Sequence, residues 1–241
     1  MTRRLALYVC LAVIAACRDE TAQSLDVGEH HVQLVVPTGW ERIDQGSQVL
    51  LRRGSDQLVL TDLGPSRPSG FRAEVLRARE LWNNGRYREA LTRLEQIPRA
   101  QELFATEADE DAFREAWNEV AYSPSDSPWS AVDAQFEELL TVIATMEAAP
   151  IDAVAAEAAE RLEHLDHRRE LKSTETRRIG GREAAVVTTW MTLSHADERR
   201  LVLVINDGRS LVLRCDRCDP PVPEVLDAVA ASLHFGSDTR R

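Results

Sequence analysis

The sequence predicts an α+β fold, in which two β-rich segments enclose a long helical middle. Three observations carry this. Short runs of Val, Leu and Ile bounded by Gly, Pro, Ser and Asp fill about 27–64 and 173–215, as antiparallel strands do. Apolar residues recur at three- and four-residue intervals from about 71 to 171, the period of an amphipathic helix. Asn206-Asp207-Gly208 between two apolar runs is a strong hairpin signal.

The chain opens with Arg3 and Arg4, then an apolar run from Leu5 to Ala16 that ends in Ile14-Ala15-Ala16-Cys17. The run is far shorter than the roughly 20 residues that span a bilayer. A basic start, a short apolar core and small residues before a cut make a secretory signal. The last four residues resemble the lipobox of bacterial lipoproteins. That resemblance implies removal of 1–16 and lipidation of Cys17, which would hold the protein to a membrane by its lipid alone. Arg18 after the cysteine resembles lipoproteins sorted to the outer membrane, so in a two-membrane organism the expected place is that membrane, facing the periplasm.

Residues 17–26 read as a polar tether. His31 to Val36 is a strand that stops at Pro37, Thr38-Gly39 is a turn, and Val49–Arg52 and Gln57–Thr61 are two more strands. Gly64 to Gly70 is a break. The first helix ends at Asn83-Asn84-Gly85, the second at Pro98, and the third runs from Ala108 to Tyr122. The fourth covers roughly Ala131 to Ala148, and the fifth Ala153 to Leu171. Strands then return at Thr176–Met191, Leu201–Ile205 and Ser210–Leu213, and a final helix runs from Glu224 to Leu233.

Taken together, the two β segments resemble the Mog1/PsbP-like family. The likeness rests on Val35-Val36-Pro37-Thr38-Gly39-Trp40, on Ile179-Gly180-Gly181-Arg182-Glu183-Ala184, on the Asn206–Gly208 hairpin and on the closing Ala231-Ser232-Leu233-His234-Phe235. It implies an α/β/α sandwich with an antiparallel sheet, built from 27–69 plus 172–241 and interrupted by an acidic helical insertion at 70–171. It implies binding more than chemistry, since the family includes a small-GTPase binder, a photosystem subunit, envelope lipoproteins and secretion chaperones. Within the insertion, Ala78–Trp82, Gly85–Leu91 and Pro98 resemble a single tetratricopeptide hairpin. One unit cannot stack into a solenoid, which needs about three.

Net charge is −11, and loss of Arg3 and Arg4 would make it −13. Residues 101–163 hold sixteen carboxylates against Arg114 and Arg161, a balance of −14, so the rest of the mature chain is near neutral. Nucleic acid needs a basic footprint, and so does a polybasic contact with anionic lipid; neither partner is expected.

No Gly-x-Ser-x-Gly, His-Glu-x-x-His or phosphate-binding glycine loop occurs, and no catalytic residue or cofactor is expected. Cys215-Asp216-Arg217-Cys218 reads as a structural disulfide or two unreactive thiols. A redox pair needs a helix N-terminus to lower its thiol pKa, and Pro220, Pro221 and Pro223 intervene. Glu160, His164 and His167 share a helix face, but that spacing also makes an ordinary polar face, and no metal is expected. Trp40 and Trp190 read as core. Trp129, Tyr87 and Trp82 are the candidate interface anchors on the insertion. The expected function is that of an envelope scaffold docking another envelope protein through the insertion. The alternatives are a chaperone-like module using the sheet groove, or an enzyme with an unrecognised site.

Overall fold

Alternate burial sorts the strands into layers. The computed structural model describes residues 22–46, 48–98, 100–124, 127–163, 169–191, 198–215 and 222–236. β1 (Ala22–Val27) and β2 (His30–Val35) form a hairpin, joined by a short β10 (His234–Phe235) in a three-stranded sheet of order β1-β2-β10. The second sheet has seven strands: β3 (Glu41–Gln45), β4 (Gln48–Arg53), β5 (Asp56–Pro65), β6 (Arg169–Ile179), β7 (Arg182–Met191), β8 (Glu198–Asn206) and β9 (Arg209–Cys215). Their order is β3-β4-β5-β9-β8-β7-β6, every pair antiparallel. The β5–β9 ladder sets Leu58 opposite Cys215 and Pro65 opposite Arg209, closing the two halves of the chain around the helices.

Between β5 and β6 lie α1 (Pro68–Asn83), α2 (Tyr87–Glu95), a 3-10 turn (Gln101–Leu103), α3 (Glu107–Ala121), α4 (Trp129–Thr145) and α5 (Ile151–Glu163). α6 (Val222–Ala231) follows β9. The protein is α+β with antiparallel sheets.

The central strands β7, β8 and β9 of the seven-stranded sheet are buried on both faces. Val187, Leu201, Leu203, Ile205 and Val212 join the core of the α1–α5 block. Their neighbours Val186, Val202, Val204, Leu211 and Leu213 join the core under α6 and the β1–β2 hairpin. A strand covered on both sides needs apolar residues at every position, which is why Leu201–Ile205 is an unbroken apolar run. Within the helical core, Phe71, Phe104 and Phe113 stand 5.4–5.9 Å apart in tilted pairs, each such pair adding about 0.5–1.5 kcal/mol beyond its buried area.

Local chemistry sets the ends. Gly85, at φ +74, closes α1: its N–H donates to Trp82 O at 2.9 Å and that of Arg86 to Leu81 O at 2.9 Å, a Schellman cap. Thr106 caps α3, its Oγ1 accepting from Asp109 N at 3.1 Å. Glu107, Asp109 and Glu110 in that first turn face the positive end of the helix dipole, so part of the acidity serves the helix itself.

Three segments differ from the sequence reading. Residues 22–26, expected as tether, form most of β1, with Leu25 and Val27 buried and Ser24 and Asp26 on the other side. The break at 64–70 shrinks to Ser66 and Arg67, because Pro65 ends β5 and Pro68 starts α1. The fifth helix, expected to run to Leu171, is described over Ile151–Glu163, and Arg169-Glu170-Leu171 pair with β7; the ladder overrides their helical propensity.

Candidate functional site

The α1–α4 contact carries a row of four aromatic rings. Tyr87, at the first turn of α2, meets Trp82 near the end of α1 at 5.2 Å, edge to face. Trp82 meets Phe136 of α4 at 6.1 Å, and Phe136 meets Trp129 at 6.5 Å. The row is buried at its middle and open at its ends: Tyr87 is 41% exposed and Trp129 37%. Trp82, expected as an anchor, is only 4% exposed. Its ring is spent between Tyr87 and Phe136, so it backs the surface and does not offer a face to a partner. Arg79 on α1 pairs with Asp133 at 2.7 Å and Glu137 at 2.6 Å on α4, fixing the two helices that present the row.

Tyr122, at the C-terminal end of α3, is more exposed than either and was not singled out from sequence. Its place directly before Ser123-Pro124 was the available signal, since a helix that stops there leaves its last side chain outside the core. The block stays acidic at its surface. Arg114 pairs with Glu110 and Asp111, and Arg161 with Glu157, whereas Glu115, Glu119, Glu138 and Glu147 have no cationic partner among the described residues.

Of the other candidates, Cys215 is buried and disulfide-bonded. Cys17, Cys218, His164 and His167 lie outside the described residues. Trp40 is buried, with the Arg53 guanidinium 5.0 Å over its ring. Among the described residues no group of three or more His, Cys, Asp and Glu could hold a metal ion.

A second feature was not foreseen: a charged cleft of about 540 Å³ where the hairpin, α1, α2 and the start of β9 meet. Glu29, on the two-residue β1–β2 turn, accepts from Arg93 at 2.5 Å and from Arg77, with Arg209 at 3.6 Å. Glu74 of α1 lies behind and pairs with Arg209 at 2.5 Å, Arg77 at 3.0 Å and Arg93 at 3.5 Å. Asp62 accepts from Arg209 at 3.0 Å, from Glu29 N at 3.0 Å and from Gly64 N at 2.8 Å.

The three carboxyls differ in acidity. At Asp62 burial acts upward, but His30 beside it, the Glu29 N–H and Arg209 outweigh that and hold it well below the usual range. Glu29 is lowered too, its partial burial overcome by the Arg93 hydrogen bond and the charges of Arg209 and Arg77. At Glu74 burial wins, opposed by Arg209 and reinforced by Glu29, and its carboxyl is raised.

Arg209 reaches this cluster because of the turn before it. Asp207 (φ +50) and Gly208 (φ +79) give the two positive φ values of a type I′ hairpin. Gly208 O accepts from Ser66 N at 2.8 Å and Arg67 N at 3.1 Å, docking the turn on the entry to α1. No single stretch of sequence could show this cluster, whose members span Glu29 to Arg209.

No protein-family profile matches the chain, and no curated protein matches it. Among solved structures it is similar to the solution structure of cyanobacterial PsbP (CyanoP) from Synechocystis sp. PCC 6803, at 11% identity and a TM-score of 0.45, over 91% of this chain and 95% of that one.

Proposed function

We propose that this chain is a lipid-tethered binding protein of the bacterial envelope, anchored through Cys17 and docking another envelope protein through its helical block. The observation that carries the reading is the aromatic row, with Tyr87 and Trp129 exposed at its ends and Trp82 and Phe136 buried behind them. Large rings held rigidly at a surface are what interface hot spots are made of, because little side-chain entropy is lost when they are covered. The surrounding carboxylates define the partner as one bearing Lys and Arg around an apolar pocket, with association that weakens as salt rises. The chaperone-like alternative needs an open sheet groove, whereas at the central strands β7–β9 helices cover one sheet face and α6 with the hairpin covers the other.

The test is crosslinking of the lipidated protein in its native envelope, beside Trp129→Ala and Tyr87→Ala forms of unchanged thermal stability. Capture of one basic envelope protein by the parent, reduced at least tenfold in the Trp129 variant and by added salt, is the expected result. Equal capture by all three forms would move the interface away from the aromatic row.

A further inference from the structure

We infer that Arg77, Arg93 and Arg209 form a binding site for a small carboxylic acid, occupied in this structure by the chain's own Glu29 side chain as a tethered stand-in. Guanidiniums from three elements, α1, α2 and β9, converge on one carboxylate carried by a turn of the separate three-stranded sheet. The fork of N–H donors on an arginine matches a carboxylate in plane and spacing, which makes such a convergence a carboxylate receptor.

The three carboxylates of the cluster do different work. Glu74 and Asp62 are buried, their side chains 1% and 5% exposed, and they aim the guanidiniums from behind. Asp62 takes one terminal nitrogen of Arg209 and Glu74 the other. Glu29 lies on the cleft side, 28% exposed, the only one of the three with an open way out. Its backbone N–H is pinned to Asp62 at 3.0 Å, and Gly28 sits so close to Asp62 that a Cβ there would stand 2.3 Å from Oδ2. The turn is therefore fixed, and rotation of the Glu29 side chain alone vacates the site.

Charge and space agree with this occupant. At the cluster three guanidiniums face three carboxylates, with Asp26 and Asp207 further out on the cleft wall; with Glu29 swung away, the guanidiniums it paired lose that partner, and a monocarboxylate would take its place. The adjoining cleft of about 540 Å³ falls in the range of small-ligand sites and leaves room for the rest of the molecule. Two buried nitrogens at the cluster, His30 Nε2 and Arg209 Nε, have no hydrogen-bond partner among the described residues. His30 Nε2 stands 3.6 Å from Asp62 Oδ1, just beyond hydrogen-bond distance.

A tethered carboxylate competes at high effective concentration, so the parent protein binds a free acid more weakly than a chain from which Glu29 has been removed. The experiment follows melting temperature while sodium citrate or sodium acetate is added, against sodium chloride at equal ionic strength. It uses the parent, Glu29→Ala, Glu29→Gln and Glu29→Ala/Arg93→Gln forms of the mature chain. Citrate, with several carboxylates to compete with, raises the melting temperature of the parent above the chloride control. Acetate and citrate bind Glu29→Ala at least tenfold more tightly than they bind the parent, and the Arg93→Gln addition removes the gain. Should Glu29→Ala fail to fold, Glu29→Gln carries the same comparison. A response equal to that of chloride, or one that survives Arg93→Gln, would overturn the site. Binding by the Glu29 variants with none by the parent would make Glu29 a permanent structural partner and would equally sink the inference.

Discussion

Gly70→Ala separates two opposed effects of known size. In an ordinary helix the change stabilises by about 1 kcal/mol, since Ala is the better helix former. Gly70 lies in the first turn of α1, against the hairpin that precedes Arg209. A Cβ there would stand 2.2 Å from Gly208 O and 2.8 Å from Gly208 C, both backbone atoms, where ordinary contact begins at 3.4 Å. More than an ångström must open between helix and turn. Overpacking of this kind costs about 1–3 kcal/mol. The same carbonyl also accepts from Ser66 and Arg67, two hydrogen bonds each contributing about 1 kcal/mol that a displaced turn would weaken. Set against the helix gain, the expected result is a net loss of about 1–3 kcal/mol. Urea denaturation measures it as a lower midpoint at unchanged slope. A midpoint equal to or above that of the parent would refute the close packing of α1 on the hairpin, and with it the account of how Arg209 is placed.

Stability should also vary with pH in a way the cleft dictates. Asp62 and Glu29 titrate lower folded than unfolded, so their contribution is present at neutral pH and is lost as pH falls below their ordinary values of 3.8 and 4.5. Glu74 is raised, so its charged form costs stability, and that cost disappears on mild acidification. Urea midpoints should therefore rise slightly from pH 7 to about pH 5 and then fall steeply, and Asp62→Asn should flatten the fall; a steep fall that Asp62→Asn leaves unchanged would remove this cluster as its cause. Replacing Cys17 by Ser should move the protein from the membrane to the soluble fraction, as fractionation would show, and retention on the membrane would mean an anchor other than lipid.

How much of this was legible depended on how local the physics was. The Asn206–Gly208 turn was readable because both positive φ values fall on residues that tolerate them. The end of α1 was readable because Gly85 supplies the left-handed residue its cap requires. The strand at Arg169–Leu171 was not, because those residues favour helix and only the ladder to Thr189–Met191 makes them extended. The exposed Trp129 was legible from its place at a helix start after Pro128, whereas Trp82 differs only in facing across to α4, a tertiary fact. The carboxylate cluster had no sequence signature at all. Its residues are ordinary charges on four separate elements and one turn, and only the packing of the β1–β2 turn and the Gly208 turn against α1 and α2 makes them neighbours.

The helical block and the sheet also share a core, which decides how the proposed docking surface can be probed. Val187, Leu201, Leu203, Ile205 and Val212 are covered by α1–α5 on one face of the sheet. Full burial of such a side chain contributes about 1.5–3 kcal/mol, so the five together account for roughly 8–15 kcal/mol. That equals the whole net stability of a typical domain, about 5–15 kcal/mol. Arg67 ties the same two layers, its buried guanidinium donating to Ala149 O and pairing with Glu183 at 3.0 Å. A chain lacking residues 70–171 would bare all five side chains and strand Arg67, so its failure to bind a partner would report an unfolded sheet. Trp129→Ala removes a ring that is already one-third exposed and leaves the shared core in place. Loss of capture in that variant, at unchanged melting temperature, is therefore the observation that separates a docking surface on the helices from a mere structural dependence on them.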